Sequence, residues 1–102
     1  MNGNANVYTI AIDNTSKAAT FLPMDKDKQN MRLVNLSDKA VFVVTGEAAA
    51  PTAVFPTSAT APLQGTVLQA GEAVEVQKPT QHGFAAAIQL AAGTGNLYIS
   101  LV

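Results

Sequence analysis

Between Met31 and Gly46 the chain reads MRLVNLSDKAVFVVTG, two apolar, β-branched runs on either side of a polar cluster. Arg32-Leu33-Val34 and Ala40 to Thr45 favour extended structure, while Asn35, Ser37 and Asp38 bond readily to nearby backbone and reverse the chain. The spacing predicts a hairpin. In its second arm Val41 and Val43 fall on one face and Phe42 and Val44 on the other, so the strand is expected to lie centrally and to be covered twice.

The same grammar extends in both directions. Val7 to Ile12 reads as a strand with Tyr8, Ile10 and Ile12 on one face, and Asp13 to Ser16 as a turn. Ala18 to Leu22 reads as a weaker strand that Pro23 ends. Met24 to Asn30 is polar and charged, a loop or at most one helical turn, expected to stay hydrated. Leu63 to Leu68 and Ala73 to Gln77 predict a second hairpin, with Gly71 supplying positive φ between them. Val74 and Val76 oppose Glu75 there. Pro79 to Gly83 is another turn.

Phe84 to Leu90 is alanine-rich and suits either helix or strand. A segment that short makes a marginal helix, and after the Gly93-Thr94-Gly95-Asn96 turn Leu97 to Val102 follows as a hairpin partner, so strand is favoured. Roughly seven to eight short strands, with turn signals about every eight to twelve residues, indicate an all-β, antiparallel sandwich. The jelly roll is one candidate topology. Residues 1–6 read as a flexible lead, and 7–102 as a single domain.

Residues 47–62, EAAAPTAVFPTSATAP, interrupt this pattern with three prolines among Ala, Thr and Ser. Neither a stable helix nor a central strand suits that composition. A loop this long in a compact domain tends to be functional or disordered. Val54-Phe55 is its apolar anchor, either folded back over a sheet edge of its own chain or docked on a neighbouring subunit.

Composition favours the idea of neighbours. Charged residues are 13% of the chain against about 25% in ordinary soluble domains. The surface is therefore mostly Ala, Thr, Asn, Gln and Ser, poorly defended against association. With 102 residues, 6% aromatics and no Trp, burial is only just sufficient and oligomerisation would help. Val7 and Tyr8 of the N-terminal strand and Val54 and Phe55 of the loop are the candidate interface residues.

Candidate chemistry is sparse. The chain has no cysteine, which removes disulfides, thiolate metal sites and thiol nucleophiles. His82 is the single histidine, in a turn without ligand-spaced partners, and is expected to be solvated. Asp13, Asp25, Asp27 and Asp38 fall in expected turns, where carboxylates cap backbone N–H groups. Asp25-Lys26-Asp27-Lys28 lacks the glycine and distal glutamate of a calcium loop. Ser16, Ser37, Ser58 and Ser100 have no recognisable base. No enzyme activity, cofactor or metal is expected.

A net charge of −1 without a basic patch argues against nucleic acid. Apolar runs far shorter than the roughly 20 residues of a membrane span, and an N-terminus without a signal pattern, argue against a membrane partner or secretion. Synthesis in the cytoplasm, followed by a soluble state or entry into an assembly, is expected.

From Arg32 onward the order of features resembles small virion proteins of tailed bacteriophages. The matching elements are Arg32-Leu33-Val34-Asn35, Val41-Phe42-Val43, Gly46, Ala70-Gly71-Glu72 and Gly93-Thr94-Gly95-Asn96-Leu97-Tyr98-Ile99, over roughly the last seventy residues. The resemblance implies a capsid decoration, or cement, protein on the virion exterior. Its partners would be the major capsid protein and copies of itself, as homodimer or homotrimer. A tail, neck or fibre component is the alternative within that group, and a carbohydrate-binding sandwich the alternative outside it. No catalytic residue is transferred.

Overall fold

A computed structural model of the protein describes residues 6–57 and 64–102. The first five positions of the expected lead and residues 58–63, which include Ser58 and the end of the proline-rich loop, lie outside the described residues. Among the described residues there are eight strands: β1 Val7–Ala11, β2 Lys17–Thr20, β3 Asn30–Ser37, β4 Val41–Gly46, β5 Thr66–Leu68, β6 Ala73–Gln77, β7 Phe84–Gln89 and β8 Gly95–Leu101. A short 3-10 turn, Pro23–Asp25, is the helical element among the described residues.

The strands form two four-stranded sheets, β1-β8-β3-β6 and β2-β7-β4-β5, and every ladder is antiparallel. The pairings β1·β8, β2·β7, β3·β6 and β4·β5 are nested, as in one long hairpin that reverses between β4 and β5. The β3·β8 and β4·β7 ladders then join the coiled ribbon into two layers. This is the jelly-roll order. The alanine-rich Phe84–Gln89 segment is a strand, as its length argued.

The three expected hairpins, at 31–46, 63–77 and 84–102, do not form. β3 and β4 lie in opposite sheets, and so do β5 and β6, and β7 and β8. Turn residues specify that a chain reverses, but tertiary bonds specify whether it returns beside itself or arches to the other layer. Asn35 makes those bonds here. Its buried Nδ2 donates to the carbonyls of Lys39 (3.0 Å), Leu68 (3.4 Å) and Gln69 (3.0 Å), while Oδ1 accepts from Ser37 N (3.1 Å) and Oγ (2.5 Å). The first arch is thereby fastened to the second.

Asp38 fastens the third, its Oδ1 accepting from Thr94 N at 3.0 Å. Gly95, at φ +130°, passes so close to Ser37 that a Cβ would stand 2.4 Å from its Cα. Gly71 has the expected positive φ, +80°. The turn clusters that carry the virion-protein resemblance thus meet at one end of the sandwich, where they build its corners.

Between the layers, Ile10, Met31, Leu33, Leu97, Ile99 and Leu101 of the first sheet meet Val41, Val43, Leu68, Ala85 and Ala87 of the second, with Ile12 and Phe21 closing the margin. The alternation expected for β1, β4 and β6 is the one observed. Each large side chain so buried contributes about 1.5–3 kcal/mol, and the alanines of β7 contribute much less.

Candidate interaction surface

The chemistry-bearing residues are occupied with holding loops. His82 is half-buried rather than solvated, its Nδ1 lying 2.8 Å from Thr45 Oγ1. It borders a cavity of about 220 Å³ between the layers on the β5/β6 side, lined also by Met31, Val43, Val76 and Gln64. That lining carries no carboxylate, lysine or arginine. Among the described residues no group of three or more His, Asp or Glu is placed to hold a metal ion. Ser16 Oγ accepts from Ala53 N at 2.8 Å, and Ser37 Oγ is bound to Asn35 and Lys39.

The 24–30 segment departs from its expected hydration, because Asp25 is fully buried. Its Oδ2 accepts from Tyr8 Oη (2.5 Å) and Asn6 Nδ2 (3.1 Å), and Lys28 Nζ stands 3.2 Å from Oδ1. Tyr8 Oη in turn accepts from Leu22 N at 2.8 Å. Burial works to raise the Asp25 pKa, but the bonds from Tyr8, Asn6 and Lys28 outweigh it and hold the carboxyl below its ordinary range. The Tyr8 phenol is pushed up, by burial first and then by its bond to that carboxylate.

Lys78, 2% exposed, directs its ammonium to the carbonyls of Lys26 (2.9 Å), Pro79 (3.0 Å) and His82 (3.1 Å). Burial lowers its pKa against the opposing charges of Asp27 and Asp25. These two buried charges tie β1 to the β2–β3 loop and that loop to the β6–β7 loop. Asp13 caps as expected, its Oδ1 accepting from Thr15 N at 2.8 Å.

The outer faces of the two sheets differ. On the second sheet Phe42 and Ala86 face outward, yet they are 2% and 0% exposed. Register places Phe42 beside Ile88 and Ala86 beside Val44, an apolar band. The chain after β4 crosses it: Phe55 packs edge-on against Phe42 with ring centroids 6.3 Å apart, and Ala53, itself buried, is anchored at Ser16 just before β2. The anchor therefore lies over the face of its own sheet.

On the first sheet the outer rows are Val7–Ser100–Arg32–Glu75, Thr9–Tyr98–Val34–Ala73 and Ala11–Asn96–Leu36. Val7 and Leu36 are 58% and 59% exposed, Thr9, Ala11 and Ala73 are exposed, and Val34 and Tyr98 are half-buried. Arg32 and Glu75 face each other on β3 and β6. The β1/β8 half carries no charge. Of the four expected interface residues, Val7 stands on this bare face and Val54 is 53% exposed on the loop. Tyr8 turns inward to Asp25, and Phe55 rests on Phe42. Sequence reading overlooked Leu36, Val34 and Tyr98, although their positions out of phase with Leu33, Leu97 and Ile99 were the available signal.

No protein-family model matches the sequence, and no curated protein matches it. Among solved structures the chain is similar to one from the Bacillus endospore appendages, which form a novel family of disulfide-linked pili. The TM-score is 0.58 at 10% identity, over 97% of this chain and 85% of that one. At that identity the likeness is one of fold, and this chain has no cysteine with which to form a disulfide. No helix among the described residues is long and apolar enough to cross a membrane.

Proposed function

We propose that this chain is a non-enzymatic structural module that associates with its own copies and binds a protein lattice, as a decoration protein on the exterior of a phage capsid. The observation that carries the reading is the bare, nearly uncharged outer face of the first sheet, in a molecule that covers the equivalent face of its other sheet with its own loop. Mass action supplies the mechanism: a protein that binds the assembled lattice better than free subunits stabilises the lattice. An oligomer that engages several lattice sites at once gains further through effective concentration. Contacts with the major capsid protein would be apolar and backbone-mediated, through Val7, Leu36 and Val54 and the exposed strand edges.

The order of turn and strand motifs favours the capsid. The fold likeness to a pilus chain favours a second reading, a tail, neck or fibre component with the same surfaces. Co-sedimentation with purified capsids, together with the native mass of the free protein, separates the two. Oligomers that pellet with capsids are expected. A monomer that stays in the supernatant overturns the capsid reading, and labelling confined to tails establishes the second.

A further inference from the structure

Four strands of the sandwich, β1, β6, β2 and β5, have a side that no strand among the described residues occupies, and they are not equally open. Ile12 N donates to Gly95 O at 3.2 Å. By antiparallel alternation Ile10 and Tyr8 also bond towards β8, so Val7, Thr9 and Ala11 present their N–H and C=O groups to the outside. The side chains of all three are exposed on the bare face. This edge carries no charge, no proline and no bulge, the usual defences against pairing.

The other edges are less suited to self-pairing. By the same alternation, with Lys78 N on Gln29 O, β6 presents Ala73, Glu75 and Gln77, so a two-fold at its centre would oppose two carboxylates. β2 is four residues long, and the loop is bound at Ser16 just before it. β5 has three residues.

We infer that β1 is the self-association edge: two copies join antiparallel about a two-fold axis at Thr9, extending the first sheet from four strands to eight. Val7 then lies opposite Ala11 of the second copy, and Thr9 opposite Thr9. Such a contact is isologous and closes at a dimer. Its ladder has about six N–H···O=C bonds, and Thr–Thr is a favourable cross-strand pair. The uncharged halves of the two bare faces become one continuous surface. The inference rests on the self-association in the proposed function and specifies where it occurs.

The absence of cysteine provides the test, because a single introduced thiol has no competitor. A hydrogen-bonded antiparallel pair holds its Cα atoms about 5.5 Å apart, within disulfide range. Thr9→Cys is expected to form a disulfide dimer under mild oxidation at micromolar concentration, while Ala18→Cys on β2 stays reduced. Thr9→Lys, which sets two ammonium groups face to face, should weaken dimerisation at least about tenfold by sedimentation, with an unchanged circular-dichroism spectrum. If wild type self-associates but Thr9→Cys does not cross-link and Thr9→Lys remains oligomeric, the β1 edge is wrong and the wider reading stands. If wild type is monomeric throughout, both fail.

Discussion

The two outer faces of this sandwich are built alike and finished differently. Phe42 and Ala86 on one side, and Val34, Leu36 and Tyr98 on the other, are outward apolar positions on interior strands, yet the first pair is sealed and the second set is half-buried or exposed. The difference is the loop after β4, whose Phe55 and Ala53 cover the second sheet and leave the first alone. One apolar face is satisfied within the chain, and the other is available to another polypeptide. Substitution can break this contrast. Phe42→Ala should cost about 3–5 kcal/mol in denaturant unfolding, the range for a buried phenylalanine. Tyr98→Ala at its counterpart should cost less than about 1 kcal/mol. Equal costs would show both faces to be covered alike.

The bare sheet needs its outer strand held, and Asp25 does this through Tyr8 and Asn6 on and beside β1. Asp25→Ala removes the acceptor and leaves the Tyr8 hydroxyl without it, so a loss of about 2–3 kcal/mol is expected. The pH dependence follows from the sign of the shift. The native carboxyl sits below its unfolded value, so its stabilisation is fully present above the ordinary carboxylate pKa of about 3.9. It is lost as pH falls through the native value. Unfolding midpoints from pH 6 down to pH 2 should fall more steeply for wild type than for Asp25→Asn; parallel curves would remove Asp25 from this role.

The sequence made the strand faces legible, because a period of two survives whichever layer a strand joins. Tyr8 and Ile10 against Val7 and Thr9, and Val41 and Val43 against Phe42, needed no knowledge of topology. Pairing was not legible, since Asn35 reads as a turn former in a hairpin and in an arch. Its bonds to Leu68 and Gln69 reach residues more than thirty positions away. Asp25 was missed for a related reason: in DKDK it looks like one charge among four, and its burial depends on Tyr8 and Asn6 arriving from another strand. Two of the expected interface residues, Tyr8 and Phe55, have the apolar character that surface association and internal packing both use.

A smaller effect sharpens the comparison from the covered side. Phe55 is half-buried, so Phe55→Ala should cost about 1–2 kcal/mol, from lost area and the edge-on contact with Phe42. It should also expose Phe42, increasing binding of an apolar dye in the native state. No rise in dye binding would mean that the cover does not depend on this ring.

The smallest effect on stability is expected on the bare face, and there it should be decoupled from function. Leu36 is 59% exposed on β3, opposite Asn96 of β8 and two strands from the β1 edge, so Leu36→Lys leaves the core and the Asn35 corner bonds in place. A surface change of this kind alters stability by less than about 0.5 kcal/mol. A lysine desolvated in an apolar contact weakens that contact far more than it weakens the free protein. Leu36→Lys should therefore unfold like wild type and yet lose most of its co-sedimentation with capsids. The matching change on the covered side, Val54→Lys on the exposed flank of the loop, should reduce capsid binding less if the bare face is the main docking surface. Should Val54→Lys be the more damaging of the two, the roles of the faces are reversed, and the loop that seals one sheet is also the part that grips the lattice.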